Sequence, residues 1–164
     1  MMRPNFNLAV YFVADPDACS GRCIIDVVSD AIDGGVTMVQ YRNKTSEKSI
    51  IAAEAAMLCE IVHTAGIPFL INDYVDIAHA VSAGGVHLGQ DDMSPEEARK
   101  LLGEQAIIGV TAFTEMQINA IDPHIVDYIG TGPVYQTKTD KGKPVLGPDK
   151  FEKLVALSPV PVVG

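Results

Sequence analysis

Hydrophobic positions fall into two kinds of segment that take turns along the chain. Short, nearly continuous apolar runs rich in β-branched and aromatic residues occur as LAVYFVAD (8–15), TMVQYRNK (37–44), PFLIND (68–73), GVHLG (85–89), AIIGVTAF (106–113) and VDYIGTGPV (126–134), and PVPVVG (159–164) begins a seventh. Such runs predict strands covered on both faces. Between them the apolar residues recur at helical spacing. The clearest stripe is Ile51, Ala55, Leu58 and Val62, with Ser46 placed to cap it and Gly66 and Pro68 to stop it. Further helices are expected over Cys23–Ile32, stopped by Gly34–Gly35, and over Val75–Ser82, closed by Gly84–Gly85. Ser94-Pro95-Glu96-Glu97 opens another, with a capping serine, a first-turn proline and a glutamate at the third position; Gly103 ends it. Glu115–Ala120 is a weak helix and Pro148–Leu157 a stronger one.

Strand and helix alternate roughly every 20–25 residues, as parallel βα units do. Two architectures share that pattern, a (βα) barrel and an open doubly wound sheet. Polar clusters follow successive strands: Gln40–Lys44, Asn72–Asp73, Asp91–Asp92, Thr111 and Thr137–Thr139. Both architectures put ligands at the carboxyl ends of strands, but an open sheet concentrates its site at one switch point. Contributions from consecutive strands favour a barrel mouth. The first strand is not followed by GxGxxG, and GxxxxGK[ST] occurs nowhere. With no linker or composition shift, residues 1–164 read as a single barrel domain.

Composition narrows the function. A formal net charge of −9 argues against nucleic-acid binding, while leaving room for a local basic cluster that holds a phosphate. No apolar run reaches the ~20 residues of a membrane helix. The apolar stretch near the N-terminus runs directly into Asp15 and Asp17, so it reads as a first strand and not a leader. Cys19, Cys23 and Cys59 lack zinc spacing and predict reduced thiols in a cytoplasmic protein.

The strand ends carry the candidate chemistry. Neighbouring parallel strands lie ~5 Å apart, so Asp73 and Asp92, one βα unit apart, can converge on a hard cation such as Mg2+. The alternative is that Asn72–Asp73 and Asp91–Asp92 cap the helices that follow. Gln40, Arg42 and Lys44 share one face of a strand end, with Tyr41 and Asn43 on the other. Arginine forks onto phosphate and lysine adds a point charge; the alternative is a solvated end ion-paired to nearby acids. TKTDKGK (137–143) is either a phosphate loop or a solvated one. His87 sits mid-strand as a hydrogen-bonded core or rim residue, His63 ends a helix, and His79 and His124 have no evident role. No serine elbow or HExxH occurs.

Taken in order, QYRNK, INDYVDIA, GVHLGQDD, IIGVT and DYIGTGPVYQTKT resemble the thiamine-phosphate synthase family, from strand one to the end of the chain. The resemblance implies a (βα)8 barrel, truncated within or after strand seven and lacking its C-terminal βα unit. It implies a transferase that joins hydroxymethylpyrimidine diphosphate to thiazole phosphate, with Mg2+, and releases pyrophosphate. Gln40, Arg42 and Lys44 match positions that hold the pyrimidine and its diphosphate, and Asn72 one that contacts the diphosphate. Asp73 and Asp92 match the Mg2+ ligands, with Asp91 as a flank. Thr111 matches a position near the pyrimidine that is usually serine, and Thr137 and Thr139 the loop that receives the thiazole phosphate. Arg42, Lys44 and Thr111 are thereby the candidate catalytic residues. The partners implied are these small molecules, with neither nucleic acid nor membrane. An unclosed barrel edge would also encourage a homo-oligomer.

Three departures define the alternatives. Asp140 stands where the family usually has lysine, between Lys138 and Lys141. Phe113 stands where related thiazole tautomerases carry histidine, which argues against that chemistry. The family continues beyond the position of Gly164 through a Gly-rich loop and a last βα unit. A non-catalytic or regulatory ligand-binding homologue on the same scaffold is the other reading.

Overall fold

The computed structural model describes residues 5–137 and 145–164. Seven parallel strands form one sheet in the order of the chain: β1 (Tyr11–Ala14), β2 (Met38–Tyr41), β3 (Phe69–Asn72), β4 (Gly85–Leu88), β5 (Ile107–Thr111), β6 (Tyr128–Gly130) and β7 (Val162–Val163). The connecting helices are α1 (Ile24–Asp33), α2 (Lys48–Thr64), α3 (Val75–Ala80), α4 (Pro95–Leu102), α5 (Glu115–Asn119) and α6 (Pro148–Leu157). A sheet whose order never reverses has no switch point, which removes the doubly wound alternative.

The sheet also curls. The Tyr11 and Tyr128 hydroxyls, on β1 and β6, lie 2.6 Å apart. In a flat sheet those strands would be separated by about five spacings, roughly 24 Å. The curl separates two apolar layers. Val39, Tyr41, Ile71, Val86, Leu88, Ile108 and Ile129 pack outward under the helices. Met38, Leu70, Ile107 and Tyr128 fill the inside, where Phe6, Leu8, Tyr11 and Val163 join them. Seven strands make a partial barrel, and β1 is not paired with β7. Val13 is accordingly 44% exposed although it lies within β1.

Local chemistry explains most helix ends and corrects some expectations. Ser94 caps α4, its Oγ accepting from the Glu97 backbone N–H at 3.2 Å. The short α5 is fixed by a capping box that pairs Thr114 with Gln117. Ser46 does not cap α2. The N-cap is Glu47, without a side-chain bond, and Ser46 Oγ accepts from Asn43 Nδ2 at 3.0 Å. The wider strand expectations over 8–15 and 126–134 shrink to the inner residues that pair with neighbours.

Gly84–Gly85 does not close α3. That helix ends at Ala80, and Ser82 turns the chain with φ 54°. Gly85 begins β4, where an added Cβ would lie 1.9 Å from the Ile107 carbonyl oxygen. Gly109 serves the interior in a similar way. Its missing side chain makes room for Tyr128, and a Cβ there would sit 2.0 Å from Tyr128 Cζ. Gly109→Ala is therefore expected to destabilise the fold by about 1–3 kcal/mol through overpacking, read from urea midpoints at unchanged m value.

Candidate active site

The carboxyl ends of β2, β3 and β4 bring together Lys44, Asp73 and Asp92. Lys44 Nζ lies 3.1 Å from Asp73 Oδ2. The Asp92 carboxyl stands close enough to Asp73 to push the Asp73 pKa up. Neither aspartate caps a helix: Tyr74 is the N-cap of α3 and Ser94 that of α4. Asp73 leaves β3 in the left-handed region, φ 65°, while its backbone N–H donates to the His87 carbonyl at 2.9 Å. Aspartate tolerates that conformation better than most residues, and outliers of this kind gather at functional sites. Asp92 folds back across its turn, its Oδ2 accepting from the Gly89 N–H at 2.6 Å. Both side chains are thus directed by backbone geometry onto one spot.

Burial is the largest effect on the Asp73 carboxyl and pushes its pKa up. The neighbouring Asp92 pushes the same way, against the downward pull of Lys44. A carboxyl whose pKa is raised on folding contributes stability below its unfolded value. That contribution is lost as pH rises through the folded value. Asp73→Asn should abolish this portion of the pH dependence, so melting temperatures of the two proteins should diverge as pH rises above the ordinary aspartate range. Parallel curves would show that the raised carboxyl is not felt by the fold.

The rest of the rim is pre-positioned by partners. Arg42 donates from Nη1 to Asp15, which sits at the end of β1. Asp15 also caps the 3-10 turn Pro16–Ala18, an element the sequence pattern did not announce. Gln40 is buried, and its Nε2 donates to the Tyr11 hydroxyl at 2.5 Å. On the opposite face of β2, Asn43 Oδ1 accepts from the Thr45 and Ser46 N–H groups and Nδ2 donates to the Tyr41 hydroxyl at 3.1 Å. Tyr41 in turn donates to Glu54 on α2. These bonds fix the loop that carries Lys44. The alternative reading of Gln40–Lys44 expected an ion pair to a neighbouring acid; Arg42 and Lys44 each make one, and their acids stand at the same strand ends.

Asn72 is buried at the end of β3, in register with His87. Thr111 ends β5, and its Oγ1 lies 2.9 Å from His87 Nε2. Thr137 is half-buried after β6; Thr139 and Asp140 lie outside the described residues. Among the described residues no group of three or more His, Cys, Asp or Glu side chains could hold a metal ion. Asp73 and Asp92 supply two carboxylates, which suits a cation that keeps several waters. Hollows of about 320 and 620 Å³ lie at the opposite end of the strands, around Phe6, Pro68 and Pro161, and none of the predicted site residues lines them.

Residues 10–164 match the family model described as Thiamine monophosphate synthase. The chain belongs to that family. It is 40% identical to the thiamine-phosphate synthase of Azorhizobium caulinodans over 161 residues, which cover 97% of this chain and 76% of the relative. A thiamine-phosphate synthase from Persephonella marina is 37% identical over 157 residues, covering 96% and 75%. Among solved structures, the thiamine phosphate pyrophosphorylase from Pyrococcus furiosus superposes with a TM-score of 0.79 at 27% identity, covering 93% of this chain and 72% of that one. The N-acetylmannosamine-6-phosphate 2-epimerase from Clostridium perfringens, at 11% identity and a TM-score of 0.53, shares the fold alone. Within the thiamine monophosphate synthase family, then, this chain presents a transferase scaffold of the thiamine pathway. Its polar strand ends stand at the carboxyl rim of a parallel βα fold.

Proposed function

We propose that the chain joins hydroxymethylpyrimidine diphosphate to thiazole phosphate and releases pyrophosphate, at the rim formed by Gln40, Arg42, Lys44, Asn72, Asp73, Asp92 and Thr111. The observation that carries this reading is the meeting of Asp73, Asp92 and Lys44 at adjacent strand ends. Asp92 raises the proton affinity of the Asp73 carboxyl, an unfavourable pairing that a cation would relieve, so the residues fit Mg2+, with Asp73 and Asp92 as its ligands. When bound, Mg2+ supplies charge neutralisation to the departing diphosphate.

The chain's own residues do the rest. Lys44 stands beside the carboxylate pair, and Arg42 is held ready by Asp15; both would draw developing negative charge from the leaving group. The electron-rich aminopyrimidine can expel pyrophosphate to leave a stabilised benzylic-type cation, which the thiazole nitrogen captures. That step needs alignment more than acid–base exchange. Gln40 and Thr111 would orient the pyrimidine, and Asn72 would contact the diphosphate. Thr137 and Thr139 would receive the thiazole phosphate. Phe113, packed against the core, offers no titratable group for tautomerase chemistry.

The same reading makes residues 1–164 one domain of a (βα)8 barrel whose last βα unit lies outside them. It places the protein in the cytoplasm, in keeping with free thiols at Cys19, Cys23 and Cys59. Among the described residues no helix is long and apolar enough to cross a membrane. A coupled assay of pyrophosphate release tests the activity. Release that requires both substrates and Mg2+ is expected; its absence under saturating substrates would leave the non-catalytic binding homologue.

A further inference from the structure

Beneath the rim, one line of polar atoms crosses the interior on five different strands. Gln40 Nε2 lies 2.5 Å from the Tyr11 hydroxyl, and that hydroxyl 2.6 Å from the hydroxyl of Tyr128. The Tyr128 hydroxyl lies 2.9 Å from His87 Nδ1, and His87 Nε2 lies 2.9 Å from Thr111 Oγ1. We infer that these side chains form one proton-ordered hydrogen-bond chain, in which Tyr11 and Tyr128 are positioning residues that set the tautomer of His87 and the direction of the Thr111 hydroxyl.

The order follows from counting protons. An amide N–H can only donate, so the Tyr11 oxygen accepts from Gln40 and gives its own proton to Tyr128. Tyr128 has one proton and has already accepted, so it donates to His87 Nδ1. An imidazole nitrogen that accepts carries no proton; His87 is then neutral and protonated on Nε2. Nε2–H donates to Thr111 Oγ1, and the threonine proton is left to point away from His87 as a donor. Gln40 and Thr111, at opposite ends of the chain, are both rim residues of the proposed site. The consequence for substrate therefore rests on that reading, whereas the proton order itself does not.

Three further features support the chain. Burial, the largest effect, pushes the Tyr11 pKa up to about 12 and the Tyr128 pKa well above its ordinary value, so both phenols keep their protons. Glycines make room for the rings it needs. A Cβ at Gly109 would collide with Tyr128, and one at Gly130 would lie 3.1 Å from His87 Cε1. Tyr11 and Tyr128 also meet edge to face, with centroids 5.6 Å apart and planes at 78°.

The test is long-range 1H–15N correlation of the histidine ring nitrogens in the labelled, substrate-free chain, so the outcome does not depend on the proposed activity. A single His87 tautomer with its proton on Nε2 is expected. Tyr128→Phe, which removes the donor to Nδ1, should shift the Nδ1 resonance towards that of a nitrogen without a hydrogen bond. Tyr11→Phe should shift it in the same direction by less, because hydrogen bonds in a chain polarise one another. The Tyr11 hydroxyl bonds Gln40 and Tyr128, so only transmission along the chain carries its loss to His87. A wild-type proton on Nδ1, or an Nδ1 resonance that ignores Tyr11→Phe, would overturn the inference. If either variant fails to fold, the tautomer of the unmodified protein still decides the direction.

Discussion

Asp92→Ala is expected to lower turnover by more than tenfold and to weaken the dependence on Mg2+. The substitution removes one of two carboxylates that meet at the rim, and it removes the oxygen that accepts from the Gly89 N–H at 2.6 Å. A hard cation held by one carboxylate in place of two binds less tightly. The remaining Asp73 then falls wholly under Lys44, 3.1 Å away, and becomes an ordinary ion pair. Turnover measured against Mg2+ concentration separates the possibilities. A curve displaced to higher Mg2+ with a lower plateau is expected. Unchanged kinetics at subsaturating Mg2+ would reject a metal role for Asp92. Fold stability should change little or rise, since one of two mutually repelling carboxylates is gone.

Arg99→Ala should be the most destabilising of the substitutions considered, costing about 3–5 kcal/mol. Arg99 lies in the last turn of α4 with its side chain only 7% exposed, against Asp127 at 4%. Its Nη2 donates to Asp127 Oδ2 at 2.7 Å and to the Ile125 carbonyl at 2.8 Å; its Nη1 donates to the Ala106 carbonyl at 2.6 Å. Asp127 also accepts from the Ile108 backbone N–H at 2.8 Å. One guanidinium therefore ties the end of α4 to the entrances of β5 and β6. Removing it takes the arginine counter-charge from a buried carboxylate and one donor from each of several carbonyls, and the penalty of that desolvation exceeds the worth of the pair itself. Denaturant unfolding reads the loss directly. A change below about 1 kcal/mol, the range of exposed ion pairs, would mean that water reaches the site.

Much of this architecture was legible in the chain because parallel strands covered on both faces must be apolar throughout, and their polar residues collect where pairing ends. That rule placed Gln40, Arg42, Lys44, Asn72, Asp73, Asp92 and Thr111 at strand ends. It also placed Ser94 as a cap, because the side chain acts within its own turn. Contacts between distant segments left no such trace. Asp15 reads in the sequence only as the charge that ends an apolar run, yet it is the partner of Arg42, 27 residues on. Nothing in the sequence around Arg99 announces that α4 ends against buried carbonyls.

Gly85 and Gly109 show a subtler limit. A glycine after a helix looks like a stop whether or not it is one. What distinguishes Gly85 is the approach of the β5 backbone, and Gly109 faces the ring of Tyr128 across the next strand. Ser46 fails for a related reason. Residue type and spacing suited a cap, but Asn43 claims its hydroxyl and the helix begins later. The Tyr11–Tyr128 contact could not be read at all, because it depends on the sheet curling until β1 and β6 face each other.

The measurement closest to the central claim is a calorimetric titration of hydroxymethylpyrimidine diphosphate into the chain, with and without Mg2+, alongside Asp92→Ala. Saturable binding that strengthens with Mg2+ and loses that strengthening in the variant is the predicted result. Binding heats that are the same with and without the metal, or the same in both proteins, would contradict a rim built to hold a divalent ion and a diphosphate together.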